Sequence, residues 1–367
     1  MKHFETMFVL VAAIAVVILS AVHAQSQEKP AANAVEVHLV ITDEALDADK
    51  ELPQLQREDI KVKQGKKFLK VTQLIPAQGD NAALQLMILI DDTLNSSIGN
   101  NLNDLKEFIA AQPPTTLIGI GYMANAGVNV VQQFTADHAL AVKAVRLPRG
   151  SVSTMDSPYL SLISLVKGWT QQKVRREILM VTDGIDRLRG ERPQLAQLGP
   201  DYGVVYHRPN YGAAYPPNQR SASQGVTLAS VHQSPSYLAY ESMPSISIDA
   251  RSASEVSQRY NVIVYSLYSP GIGRAARSSW DLQLGLSGLS QIADETGAEC
   301  FSLSTSQLVS FKPYLERLQK MLSNQYYVVF QAVPRKKASF QRVNIQTELS
   351  NSEIESPDNV WVPAINK

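Results

Sequence analysis

Residues 83–109 read ALQLMILIDDTLNSSIGNNLNDLKEFI, and this stretch decides the fold of the chain. Its first part, residues 83–90, is an almost unbroken apolar run, which is typical of a strand buried on both faces of a parallel sheet. A polar segment, residues 91–97, follows, and apolar residues then recur at helical spacing from Leu102 to Ile109. A strand, a polar turn and a helix in this order predict a binding site at the carboxyl edge of an open α/β sheet.

Length and composition limit the classes of protein to consider. The chain has 367 residues, of which 44% are hydrophobic and 19% charged, and its formal net charge is zero. This length suffices for one large domain or two smaller ones. Because no excess of positive charge exists, we expect no nucleic-acid partner. Cys300 is the only cysteine, which excludes an internal disulfide, a Cys-rich zinc site and a CxxC redox pair.

The amino-terminal residues predict export. A positively charged flank precedes the apolar run 7–19, which is shorter than the about 20 residues that a helix needs to cross a bilayer. Val22 and Ala24 suit cleavage by signal peptidase. We therefore expect a signal peptide at residues 1–24, a flexible tail at 25–34, and a secreted, periplasmic or cell-envelope location. An uncleaved membrane anchor is the alternative.

The rest of the chain divides into a central α/β region and two flanks. Alternating strands and helices over residues 83–323 predict a doubly wound, mainly parallel sheet with helices on both faces. Period-two strands at 35–80 and 324–367 are expected to pair into a small antiparallel β module, with Gly65 in a hairpin turn. The stretch 186–248, rich in Pro, Gly, Ser and Tyr, interrupts the pattern. It is either a recognition loop over the sheet edge or a plain surface insertion.

Three separated stretches bring oxygen-bearing side chains to the expected sheet edge. Residues 91–96 follow the first core strand, residues 151–154 precede a helix that begins at Ser157-Pro158, and residues 181–184 end the next core strand. Hydroxyl and carboxylate oxygens in a near-octahedral shell bind Mg²⁺. An ion with few negative ligands can accept a carboxylate from a partner, so this chemistry favours binding over bond cleavage.

Two of these stretches resemble a known family. The D-x-T-x-N pattern that starts at Asp91 is similar to the D-x-S-x-S motif of von Willebrand factor A (VWA) domains, as is the Thr-Asp-Gly at 182–184. The resemblance covers about residues 84–322, and residues 58–71 resemble the β segment before the core of bacterial secreted VWFA-related proteins. It implies a metal-ion-dependent adhesion site for Mg²⁺ or Mn²⁺. Carried over by position, its ligands are Asp91, Thr93, Asn95, Thr154 and Asp183.

The chain departs from the family pattern at two places. Asn95 stands where a second serine is usual, and Val152-Ser153 replace the Gly-Gly before the loop threonine. Two forms of the site are therefore open. One is a functional metal site, and the other is a degenerate site in which Asp91 and Asp183 cap helices and bond the loops.

The resemblance implies an exported, non-enzymatic module of the adhesion type, which binds an acidic group of a protein ligand through the ion. Contact with a membrane would come only from an uncleaved amino-terminal segment. The alternative is a metal-free envelope scaffold or assembly protein that binds through the insertion and the β module. A third hypothesis, a hydrolase that uses Asp91, Asp92 and Asp183, lacks a nearby histidine base and a recognisable nucleophile.

Overall fold

The computed structural model describes residues 34–47, 50–170, 174–188, 248–269, 279–302 and 310–364. The predicted signal peptide, nearly all of the predicted tail and most of the 186–248 insertion lie outside these ranges. Within them, no helix is both long enough and apolar enough to cross a membrane.

The strand predicted from the apolar run lies at the centre of a six-stranded sheet. It is β5 (Leu84–Asp91), and all of its residues are buried. It pairs in parallel with β6 (Thr116–Ala124) on one side and with β8 (Arg175–Thr182) on the other. The prediction of a mainly parallel sheet in a mixed α/β fold is thus confirmed. The sheet continues in parallel beyond β8 through β9 (Ile263–Tyr268) and β10 (Cys300–Ser302), and it ends beyond β6 in the antiparallel β7 (Gly127–Thr135).

Successive residues of β5 belong to two different hydrophobic clusters. Leu86 and Ile88 lie in one cluster, and Met87 and Leu89 lie in the other, as expected for a strand buried on both faces. Each buried side chain of this kind contributes about 1.5–3 kcal/mol relative to its exposed state. The first cluster includes residues of α1 (Gly99–Ala110), α2 (His138–Ala144) and α6 (Lys312–Ser323), and the second includes residues of α3 (Pro158–Gly168), α4 (Ile248–Arg259) and α5 (Ser279–Thr296).

Strands from the two flanks pair with each other, as the sequence predicted. β1 (Val35–Glu44) runs antiparallel to β11 (Gln325–Ala332), and β2 (Ile60–Gln64) runs antiparallel to β12 (Ser339–Thr347). Gly65 follows β2 with a φ of 62°, in the left-handed region that the hairpin turn requires. Two four-stranded sheets result, and they share one hydrophobic core. Their remaining strands are β3 (Lys67–Leu69), β4 (Val71–Pro76), β13 (Glu353–Glu355) and β14 (Asn359–Val362).

A buried polar cluster joins the amino end of the six-stranded sheet to this β module. Arg175 donates to the backbone oxygen of Leu322 at 2.8 Å, and Gln325 donates to the hydroxyl of Tyr265 at 3.2 Å. Glu177 is fully buried beside them, with its Oε1 4.0 Å from Nη1 of Arg175. Burial therefore raises the pKa of Glu177 to about 7, although the charge of Arg175 and a hydrogen bond with Gln325 act in the opposite direction.

We predict that Glu177→Gln removes a pH-dependent loss of stability. Folding raises the pKa of this carboxyl from 4.5 to about 7. Its contribution to the free energy of unfolding is therefore fully present below pH 4.5 and is lost as the pH rises through about 7. The ionised form should cost roughly 3 kcal/mol at about pH 8. Urea unfolding at both ends of this range should show the variant gaining stability over the parent only at high pH. Glu107→Gln, at an exposed position on α1, is the control, and an equal pH dependence in all three proteins would contradict the prediction.

Candidate functional site

Asp91 and Asp183 lie at the same edge of the sheet, where two adjacent parallel strands end. The register of β5 and β8 places Asp91 beside Thr182, whose Oγ1 donates to Oδ2 of Asp91 at 2.7 Å. Thr93 donates to Oδ1 of Asp91 through its backbone N at 3.0 Å and its Oγ1 at 2.7 Å. The carboxylate of Asp91 thus ties together the two loops that the sequence pattern selected.

The two carboxylates form a buried acid pair. Asp183 is fully buried and Asp91 nearly so. Burial and the charge of Asp183 raise the pKa of Asp91 to about 6, while hydrogen bonds from Thr93 and Thr182 act against this rise. Two close carboxylates repel each other when both are ionised, so this edge of the sheet favours a nearby cation.

Arg187 provides such a cation. Its guanidinium forms a two-pronged ion pair with Asp183, from Nη2 to Oδ2 and from Nη1 to Oδ1, the second contact at 3.3 Å. Burial acts against the charge of Arg187, but the carboxylates of Asp183, Asp91 and Asp156 outweigh it, and the pKa of Arg187 is raised. Arg187 is only 8% exposed, and its Nε finds no hydrogen-bond partner in the described part of the chain.

Asp156 is a third acidic residue at this edge of the sheet, and the sequence analysis did not identify it. Its Oδ1 accepts from the backbone N of Asn125 at 2.7 Å, and its Oδ2 accepts from that of Ser153 at 2.6 Å. Its backbone oxygen accepts from the N of Arg187 at 2.9 Å. The sequence feature that could have identified Asp156 is its position directly before the Ser157-Pro158 start of the helix. A small cleft between Asp91 and Asp156 is lined by these two residues and by Met123, Ala124, Ser157, Pro158 and Ser161.

The two remaining predicted ligands do not join the acid pair. Oδ1 of Asn95 accepts from the backbone N of Ser97 at 3.0 Å and so begins the short helix Ser96–Ile98. Thr154 is exposed in the turn before α3. The structure therefore joins Thr93 to Asp91 and places Asp183 close enough to act on the charge of Asp91, whereas the hydrogen bond of Asn95 is local and Thr154 is exposed.

The fit of a divalent ion can be judged from this placement. Mg²⁺ demands near-octahedral coordination by oxygens. Because the guanidinium of Arg187 already occupies both oxygens of Asp183, the residues as placed do not offer such a shell to an ion. Across the described ranges, no group of three or more His, Cys, Asp or Glu side chains is arranged to hold a metal ion. The metal site remains a prediction of the sequence pattern.

Asp92 shapes a neighbouring loop instead of adding to the acid pair. Its carboxylate accepts two hydrogen bonds from the guanidinium of Arg146, at 2.7 and 3.0 Å, and one from the backbone N of Arg149 at 2.9 Å. Burial favours a higher pKa for Asp92, but the two arginines outweigh it and lower the pKa. The Arg146 guanidinium also stacks on the ring of Tyr122, 3.6 Å from its centroid. These contacts fix the start of the loop between α2 and α3.

That loop presents an apolar and basic surface beside the acid pair. Leu147, Val152 and Met155 are 50%, 45% and 43% exposed. The side chain of Arg149 is exposed as well. Exposed apolar side chains next to charged ones are typical of protein-binding surfaces.

Helix α5 fixes the backbone at Asp183. A Cβ built on Gly285 would lie 2.3 Å from the backbone oxygen of Asp183, and a Cβ on Gly184 would lie 2.6 Å from the oxygen of Gly285. Gly184 also has a φ of 66°. Its backbone oxygen accepts from the hydroxyl of Tyr159 at 2.7 Å. Only glycine permits this approach of helix and loop, which holds the end of β8 in place.

Comparisons with known proteins give resemblances at the level of fold. No family model and no curated protein matches the chain. Among solved structures, the chain is similar to an aerotolerance-related membrane protein from Bacteroides fragilis, with 13% identity and a TM-score of 0.35 over 65% of this chain and 98% of that one. It is also similar to a von Willebrand factor type A protein from Catenulispora acidiphila, with 10% identity and a TM-score of 0.38 over 94% and 76% of the two chains.

A third similar structure is a pilus adhesin, SpaC, from Lactobacillus rhamnosus GG. The identity is 10% and the TM-score 0.39, over 83% of this chain and 48% of that one, so the chain spans about half the length of that adhesin. VWA domains are thus among the solved structures that this chain resembles.

We predict that Gly285→Ala destabilises the protein by about 1–3 kcal/mol, because the added methyl group meets a backbone oxygen that cannot move aside without shifting the loop. Gly168→Ala, at the end of α3, is the matched control because a Cβ there meets nothing within 4 Å. Its stability should stay within about 1 kcal/mol of the parent. Urea unfolding of the three proteins measures both effects. Equal stability of the two variants would contradict the close approach of α5 to Asp183.

Proposed function

We propose that this chain is an exported, non-enzymatic protein-binding module of the adhesion type, built on a doubly wound, VWA-like domain. The carboxyl edge of the six-stranded sheet is its ligand-binding edge. One observation carries the proposal: the exposed apolar side chains of Val152 and Met155 lie in the loop that leads directly to the buried Asp156. An exposed apolar loop that also carries the guanidinium of Arg149 suits a protein segment that carries a carboxylate.

The hydrogen bonds of the acidic residues support binding over bond cleavage. Asp91 accepts from two threonine hydroxyls, Asp92 is bound by Arg146, and Asp183 is bound by Arg187. A general base needs a lone pair within hydrogen-bond reach of the proton that it removes. Because these carboxylates are already engaged with the protein's own donors, the hydrolase hypothesis gains no support from their geometry.

The proposal has two forms, which differ in the cation at the edge. In the ion-dependent form, Mg²⁺ or Mn²⁺ binds Asp91, Thr93, Asn95, Thr154 and Asp183, and it displaces the guanidinium of Arg187 from Asp183. In the ion-free form, the chain is an envelope scaffold or assembly protein and needs no such change. The ion pair between Arg187 and Asp183 favours the second form.

The partner is a protein with an exposed carboxylate or another protein of the cell envelope. Export rests on residues 1–24, which lie outside the described ranges. No nucleic acid is expected, since the formal net charge is zero.

Peptide binding to the loop surface tests this function. A peptide library displayed on phage is selected on the immobilised chain, and the affinities of the selected peptides are measured by interferometry. We expect enrichment of acidic peptides, and we expect the pair Val152→Ser and Met155→Ser to weaken binding by about tenfold or more, because truncated central contacts commonly cost more than 1 kcal/mol.

The control pair is Val131→Ser and Leu140→Ser, two apolar residues of comparable exposure at 41% and 45%, on β7 and α2. This pair should leave the affinities unchanged. Peptides that bind parent and loop variant equally well would place the ligand surface elsewhere and defeat the proposal.

A further inference from the structure

We propose that Arg187 is the resident cation of this edge, so that its guanidinium replaces the divalent ion that the sequence pattern implies and the parent protein holds no ion there. The inference deepens the proposed function, on which it rests only for its consequence in ligand binding. The inference itself concerns only which cation lies at Asp91 and Asp183, and this can be measured without any protein ligand.

The acceptor positions of Asp183 are nearly all in use. Its Oδ1 accepts from the backbone N of Ile185 at 3.0 Å and from Nη1 of Arg187 at 3.3 Å, and its Oδ2 accepts from Nη2 of Arg187. An ionised carboxylate offers about four acceptor positions. A metal ion at Asp183 would therefore have to displace the guanidinium or bind at the one remaining acceptor position beside it.

Arg187 is also held at points other than Asp183. Its Nη1 donates to the backbone oxygen of Ile185 at 3.1 Å, and its backbone N donates to the backbone oxygen of Asp156 at 2.9 Å. Its side chain is buried, as is that of Asp183. A planar guanidinium matches a carboxylate with two parallel contacts and keeps its charge at every physiological pH. These attachments make it a permanent cation of the site.

The charges at this edge also support Arg187 as the cation of the site. Asp91 and Asp156 lie close enough to Arg187 to act on its charge, so one buried cation serves three carboxylates. Removing the guanidinium leaves Asp183 buried without its counter-charge, an arrangement that a divalent ion would relieve. The loop residues agree with an ion-free edge, because Asn95 caps Ser96–Ile98 and Thr154 is exposed.

The test is the binding of Mn²⁺ alone, followed by electron paramagnetic resonance and calorimetry. The parent and Arg187→Lys, which retains a cation, should show no Mn²⁺ binding that is sensitive to Asp183→Asn. Arg187→Met should bind Mn²⁺ at least about tenfold more tightly than the parent, since the side chain keeps its bulk and loses its charge. Adding Asp183→Asn to Arg187→Met should abolish this gain.

Two results would overturn the inference. One is Mn²⁺ binding by the parent that Asp183→Asn removes, and the other is a folded Arg187→Met variant that binds no Mn²⁺. If Arg187→Met is poorly folded in chelator, circular dichroism during heating gives the answer. A Tm that rises when Mn²⁺ is added supports the inference, because an ion that binds the folded state stabilises it, and an unchanged Tm overturns it.

The outcome is separable from that of the proposed function. Mn²⁺ binding by the parent would remove Arg187 from this role and leave the peptide-binding edge intact. Equal peptide affinity of the parent and the Val152→Ser, Met155→Ser variant would remove the binding edge and leave the Mn²⁺ results unaffected. If the inference is correct, the parent binds the selected peptides with the same affinity in Mg²⁺ as in a metal chelator.

Discussion

Two carboxylates buried at the ends of adjacent parallel strands, Asp91 and Asp183, create the constraint on which the rest of the site depends. Burying a charge is costly unless it is paired and hydrogen-bonded. Asp91 meets this requirement through hydroxyls of Thr93 and Thr182, and Asp183 meets it through Arg187. The loops at the sheet edge take the conformations that these bonds require.

The surrounding fold holds this arrangement in place through close contacts and leaves apolar side chains of the adjacent loop exposed. Gly285 lets α5 touch the backbone of Asp183, while Asp156 bonds the loop before α3 to the β6–β7 turn at Asn125. On the outer side, Asp92 holds Arg146 and Arg149 so that the loop between α2 and α3 keeps its apolar side chains exposed. In the proposed function, a buried cluster that holds the loop in place would keep the entropy lost on binding small.

Strong local patterns predicted the fold well, and side-chain geometry limited the prediction of the site. The apolar run of β5 and the Ser157-Pro158 start of α3 each follow from a few neighbouring residues. The short β13 and the Ser-rich α4 carry no such pattern and were missed. Asn95 illustrates the limit at the site: asparagine is a favoured N-cap residue, and that local bond competes with any role as a ligand. No spacing rule identifies Arg187 as a partner of Asp183, since a pair four residues apart in a loop can point in any direction.

The central claim is that a guanidinium, and not a metal ion, balances the charge of the acid pair. An anomalous-difference map from crystals of the parent protein grown with Mn²⁺ tests it most directly. The account predicts no anomalous peak near Asp91 and Asp183, with the side chain of Arg187 in density against Asp183. A strong peak between the two carboxylates, with Arg187 turned away, would contradict it.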